Sequence, residues 1–240
     1  KRFNKHYSGM KIKLMKIFFI NIIFLISVSL FAQNNPSIAV LSKVKGDVSV
    51  KNKDDNQEFF KVNPGHIFRD GDHVKTALNS FAVLIYLDDK SMVKLKGGTS
   101  LIINGVKDGN ALNKNLNINN GSVKSIINKQ KKGEFKVTSP TSVASVKGTS
   151  FWSVVNFEQG DTFFNEEGIV EIQNLASGEV VDLFANQTGV STSSGLINIS
   201  QTIQSEVPLD EDSAINVPQE LRIILIGPNQ QQKTLIIKYN

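Results

Sequence analysis

The sequence predicts an all-β fold: a compact twisted β-sandwich or solenoid-like roll of short strands, followed by a C-terminal β-hairpin. Two observations carry this. From Ile38 onward, apolar and polar residues alternate in short runs that Gly, Asn and Asp interrupt at intervals of about ten residues. No long stretch carries a helical period, and 240 residues suffice for one principal core. A sandwich and a solenoid give the same pattern of short strands and regular turns, so periodicity leaves that choice open.

The chain opens on a targeting pattern, a signal peptide or N-terminal anchor over residues 1–32. Lys1, Arg2, Lys5, Lys11, Lys13 and Lys16 precede the apolar run Ile17–Ala32, which ends in small residues ahead of Gln33. Cleavage after Ala32 is expected, leaving no stable membrane span. IAVLSKVKGDVSV then offers two strands with a bend at Gly46-Asp47, and Asp54-Asp55-Asn56 turns the chain into EFFKV. Asn63–Thr76 holds turn signals at Pro64-Gly65 and Asp70-Gly71-Asp72. Phe81–Ile103 reads as a strand, a turn at Asp88-Asp89-Lys90 and two further strands. Asn104–Asn115 reads as a loop, and LNINNGSVKSIINK as a hairpin about Asn120-Gly121.

Thr138–Trp152, TSPTSVASVKGTSFW, concentrates unusual local rules. Pro140 has no N–H and holds Ser139 extended, so the approach is not helical. Ala144 and Gly148 leave little side chain on one side of the following strand, which admits another backbone or a turn. That strand closes on Phe151 and Trp152. Trp152 is the sole tryptophan; it reads first as a core anchor, with a ligand-facing aromatic as the alternative.

After it, Asp161–Gly195 repeats the pattern with turns at Glu166-Glu167-Gly168, at Ser177-Gly178 and into Gln187. The segment 200–217 reads as an acidic linker through Glu206, Asp210, Glu211 and Asp212. Residues 218–240 form the terminal hairpin about Gly227-Pro228-Asn229. An isolated hairpin is marginal in water, so it must pack on the main domain, on a second copy or on a partner.

Several of these segments resemble FecR domains, the extracytoplasmic sensing domains of bacterial signalling proteins. SPTSVASVKGTSF is similar to the family's TPxAxAxVRGTxF, with Lys147 at the usual arginine, which keeps the charge but not the planar bidentate fork. Four further stretches fit in order: NPGHIFRDGDHVKT, Phe81–Ile103 with Asp89-Lys90-Ser91 for Asp-Gly-Ser, LNINNGSVKSI, and the run through Glu167-Gly168-Ile169-Val170 to Asn186-Gln187, where Asn186 takes a glycine position. The resemblance covers 38–195 and marks Gly71, Asp72, Pro140, Gly148, Thr149, Phe151, Trp152 and Gly168 as structural motif residues. It implies an all-β domain that recognises another protein. The cytoplasmic sigma-factor-holding segment of full-length members is replaced here by a targeting pattern. The expectation is therefore a stand-alone exported protein of the bacterial periplasm or cell surface, with no sigma-factor role carried over.

The formal charge of +5 sits mainly at the extreme N-terminus, so the remainder gives no general reason to bind polyphosphate. Within it, Lys94–Lys147 is basic and the chain from Glu158 onward acidic. Either neighbouring strands pair these charges, or Lys129, Lys131, Lys132, Lys136 and Lys147 form a basic face. Aromatic residues do not interleave with that cluster, which disfavours nucleic acid. Zero cysteines exclude disulfides, thiol nucleophiles and lipid attachment at cysteine. His66 and His73, beside Asp70 and Asp72, read as surface residues of a polar hairpin rather than metal ligands. Asp88-Asp89 and Glu166-Glu167 suit turns better than acid/base work, because adjacent strand residues face opposite ways.

The sequence therefore points to a non-enzymatic binding module of the cell envelope, without catalytic residues, metal or other cofactor. Its partner would be an envelope protein, met through the hairpin or a sheet edge, or alternatively a surface or cell-wall glycan met through the lysines. Self-association stays open.

Overall fold

A computed structural model describes residues 36–53, 58–109, 111–130, 132–156, 160–210, 219–226 and 232–239. The targeting segment, Lys131, the turn at Asp54-Asp55-Asn56, residues 211–218 and Gly227-Pro228-Asn229 lie outside the described residues.

Alternation turns one side of each strand inward, and the inward residues meet as one apolar core. The strands are β1 (Ala39–Lys45), β2 (Val48–Lys51), β3 (Phe60–Lys61), β4 (Ile67–Phe68), β5 (Asp72–Thr76), β6 (Phe81–Tyr86), β7 (Met92–Leu95), β8 (Ser100–Asp108) and β9 (Ala111–Ile126). The second half adds β10 (Phe135–Thr138), β11 (Ser142–Val146), β12 (Ser150–Asn156), β13 (Gly160–Glu167), β14 (Ile169–Asn174), β15 (Val180–Phe184), β16 (Gln187–Ser191) and β17 (Ile197–Gln201).

Pairing sorts them into two sheets. Sheet A runs β4-β1-β6-β7-β9-β12-β13-β16-β17. Sheet B runs β3-β2-β5-β8-β9-β10-β11-β14-β15. The chain winds from sheet to sheet as it goes, so this is a sandwich built in the manner of a roll. Only β9/β10 is parallel among the described pairs.

Strand β9 belongs to both sheets, and here the sequence reading needs correction. Asn104–Asn115 is not a loop: it forms the arms of a long hairpin in which β8 and β9 pair from Ser100↔Asn120 to Asp108↔Ala111. Asn120-Gly121 is not a hairpin turn either. There β9 bends and passes from β8 and β10 in sheet B to β7 and β12 in sheet A. Gly121, at φ +106°, permits the bend, since a Cβ would lie 2.5 Å from Thr99 Cα. The Asn-rich composition hid an ordinary alternation in which Leu112, Leu116 and Ile118 point inward.

The outer face of sheet A is also covered. Phe151 enters the inter-sheet core, so Trp152 must face outward, yet only 1% of it is exposed. The register sets Lys94, Lys124, Trp152, Phe164 and Thr188 in one row across five strands. The segment after β17 starts at one end of this row, where the Thr202 and Thr188 hydroxyls lie 2.9 Å apart. It ends at the other, where Asp210 pairs with Lys94 and Lys124 and the Lys96 ammonium donates to Leu209 O at 3.0 Å. Trp152 is thus an anchor beneath a strap, not part of the central core.

The terminal hairpin, β18 (Gln219–Ile226) and β19 (Gln232–Tyr239), lies against the same face. Its Ile223, Leu235 and Ile237 pack with Val40, Ile67, Ile85, Leu87 and Met92. Of the three coverings the sequence left open, the main domain supplies this one.

Candidate binding groove at the Lys147-Gly148-Thr149 turn

The central motif folds as two strands separated by a turn, not as one strand running to Trp152. Pro140 is exposed in the β10–β11 connection, where Ser139 N–H donates to Ser142 O at 2.9 Å. Strand β11 ends at Val146, Lys147 and Gly148 turn the chain, and β12 begins at Ser150. The continuation of β9 runs alongside this turn: Ile127 and Thr149 exchange backbone bonds of 2.8 and 3.1 Å, and Gln130 N–H donates to Lys147 O at 2.9 Å. Two glycines allow a third turn to join them. A Cβ on Gly148 would lie 3.2 Å from Lys129 Cα, and one on Gly168, at φ +79°, would lie 2.6 Å from Gly148 O. The motif glycines are therefore spacing residues where three chain segments converge.

Above this junction lies a groove of about 930 Å3 lined by Lys129, Lys136, Lys147, Glu167, Ile169, Glu171 and Asp182 among others. Lys129 and Lys147 are exposed and form no ion pair among the described residues; Lys132 is likewise exposed but does not line the groove. Lys136 bonds Glu134 at 2.6 Å. That hydrogen bond and charge, with Lys147 adding, hold the Glu134 carboxyl below its ordinary range. The opposite bank is acidic. Register runs Lys136↔Ser145↔Glu171↔Asp182, so Glu171 and Asp182 stand directly opposite each other on β14 and β15.

The remaining motif residues stand apart from the groove. Phe151 is in the core and Trp152 under the strap. Gly71 and Asp72 shape the turn before β5, where buried Asp72 accepts a bond from Arg69 N–H at 2.8 Å. Burial raises its carboxyl above the ordinary range. His66 and His73 are half-buried, which corrects the expectation of surface histidines. His66 lies edge-on to Phe60 and Phe68, and His73 meets Phe59 edge-on while its Nε2 lies 2.8 Å from Ser100 Oγ. The described residues contain no group of three or more His, Asp or Glu arranged to hold a metal.

Besides the Asp210 cluster, the sequence reading missed a second ionic centre. Lys114, fully buried, reaches Asp88 at 2.8 Å and Asp89 at 2.5 Å, with its ammonium 5.3 Å from the Tyr86 ring centroid. Asp88 and Asp89 therefore converge on one cation, whereas strand geometry suggested that they diverge. They lie in a turn, where the alternation rule does not hold. The signal was available: Lys114 occupies the inward register of Leu112, Leu116 and Ile118.

Residues 72–171 match the family described as FecR protein. Two crystal structures of a protein from Parabacteroides distasonis, provisionally named an anti-sigma factor, are similar at 17% identity and a TM-score of 0.46. The match covers 54% of this chain and 59% of theirs. No curated protein matches. The matched residues run from β5 through β14 and include the groove turn with both of its spacing glycines, so the stretch 72–171 of this β-sandwich is similar to the FecR family.

Proposed function

We propose that this chain is an exported, non-enzymatic sensing module of the bacterial cell envelope that recognises another protein through the groove at Lys147-Gly148-Thr149. One observation carries the reading. The groove sets Lys129 and Lys147, which form no ion pair among the described residues, on one bank and Glu167, Glu171 and Asp182 on the other. A mixed, apolar-floored surface of this kind suits a protein chain carrying both charges and apolar side chains. An anionic glycan or nucleic acid would meet the acidic bank as a repulsive wall. Export rests on the N-terminal basic and apolar pattern, and the sensing role on the FecR family.

The hairpin becomes a secondary candidate for contact, because Ile223, Leu235 and Ile237 already cover the main domain. A glycan reading draws on Lys129, Lys132 and Lys147, exposed and without ion pairs among the described residues. Crosslinked capture from native envelope extract separates the two, with wild-type chain and a Lys129→Glu/Lys147→Glu variant as baits. A specific protein held by wild type and lost by the variant supports the proposal. Polysaccharide alone, lost in the same variant, supports the glycan reading and overturns it.

A further inference from the structure

Strand β15 ends sheet B. It pairs with β14 through Ile169↔Phe184, Glu171↔Asp182 and Gln173↔Val180, and no strand pairs with its other side among the described residues. Asn174 N–H donates to Glu179 O at 2.9 Å, so Glu179, Val181 and Leu183 turn their backbone groups toward β14. Val180, Asp182 and Phe184 turn theirs outward. Phe184 N–H confirms this by bonding the Gln187 side chain at 2.9 Å, which leaves the amides and carbonyls of Val180 and Asp182 as the open edge.

The same three residues present their side chains on the outer face. Val180 is 52% and Phe184 51% exposed, with Asp182 between them. Asp182 and Glu171 form a directly opposed acidic pair with no cation from this chain among the described residues. Like charges directly opposite each other are unfavourable. Elsewhere the fold neutralises such a pair: Lys94 stands directly opposite Lys124, and Asp210 bonds both. Among the described residues, the acidic pair at the edge has no such counterpart.

We infer that β15 accepts an added strand from a protein partner, an extended segment whose central Lys or Arg sits against Asp182 and Glu171 and whose residues two positions to either side are apolar, against Val180 and Phe184. Backbone bonds to Val180 and Asp182 supply the pairing, and alternate side chains supply the selection. Two-fold antiparallel pairing of β15 with a second copy about Asp182 is disfavoured, because it would set the two Asp182 carboxylates face to face. The inference rests on the protein-recognition reading and names where and what that partner presents.

The test uses the whole chain and two peptide probes with the pattern Val-Thr-Lys-Thr-Val and Val-Thr-Glu-Thr-Val, flanked by solubilising residues. The Lys peptide is expected to bind at least tenfold more tightly than the Glu peptide, Asp182→Lys to reverse the order, and bound Lys peptide to slow hydrogen exchange at the Val180 and Asp182 amides. Methylating the backbone nitrogens on one edge of the peptide should abolish binding, while methylation on the other leaves it. Equal binding of both probes, or no added protection at Val180 and Asp182, overturns the inference. Envelope capture keeps the two readings distinct. A protein held equally by wild type and by Val180→Pro/Asp182→Lys overturns the β15 assignment and leaves protein recognition standing. No captured protein at all overturns protein recognition itself.

Discussion

Asp210 lies 3.1 Å from the ammonium of Lys94, 116 residues earlier, and 3.2 Å from that of Lys124. The lysine side chains are 7% and 12% exposed, so the strap's carboxylate neutralises two cations that face each other on adjacent strands. Replacing Asp210 by Asn should cost about 1–3 kcal/mol, because it removes the carboxylate that the two cations share in a largely buried site, while Lys124 keeps Glu166 at 2.9 Å. Urea denaturation followed by Trp152 fluorescence reads the loss.

That contribution has a defined pH dependence. Burial alone would raise the Asp210 carboxyl, but the Lys94 hydrogen bond and the Lys94 and Lys124 charges outweigh it and hold the group below its ordinary range. A depressed folded pKa gives stability that is full above the unfolded value and lost as pH falls through the folded one. The gap between wild type and Asp210→Asn should therefore be constant near neutrality and close below about pH 4. A gap unchanged down to strongly acidic pH would contradict this role.

Lys114 makes the same point inside the sandwich. Lys114→Met removes the cation shared by Asp88 and Asp89 and should destabilise by about 3 kcal/mol. Adding Asp88→Asn and Asp89→Asn should recover a large part, since apolar or neutral replacement of a whole buried ionic group is far cheaper than removal of one member. Thermodynamic cycles by chemical denaturation measure that coupling.

Lys90 and Asn186 are the non-glycine residues with positive φ among the described residues, at 64° and 63°. Both occupy positions where the FecR pattern has glycine. Lys90→Gly should stabilise by about 0.5–1 kcal/mol and Asn186→Gly by less, because Asn tolerates left-handed backbone better than Lys. Gly168→Ala should do the reverse and more strongly, since its Cβ would press on Gly148 O. Thermal melting orders the three.

His66 gives a second acid-sensitive point. Burial lowers its pKa, Asp72 partly opposes this, and Arg69 reinforces it; its Nε2 is buried without a partner among the described residues. The folded state thus favours neutral imidazole, a contribution that is full above the unfolded value of about 6.5 and lost as pH falls through the lowered folded value. His66→Phe should flatten the fall in melting temperature below that pH. Unchanged curvature would assign the fall to other groups.

Local order was legible in this chain wherever a period of two met a turn residue. It marked the strands from β13 to β15 and those of the terminal hairpin, and five ordered motifs carried the resemblance to FecR domains. The reading failed where composition competed with period. Asn-rich β9 was read as a loop and a hairpin, although its Leu and Ile residues kept strict alternation.

What sequence alone determined is the all-β class, the turns marked by Gly, Pro and Asp in the outer strands, and which family it resembles, because each follows from neighbours a few positions apart. Tertiary structure decided the rest. Only the packed sandwich brings Lys94 to Asp210, Lys114 to Asp88 and Asp89, and Lys129 beside Gly148 and Asp182 in one groove. Those meetings depend on strand register and on which sheet each strand joins, and register is set by the whole core rather than by any local segment.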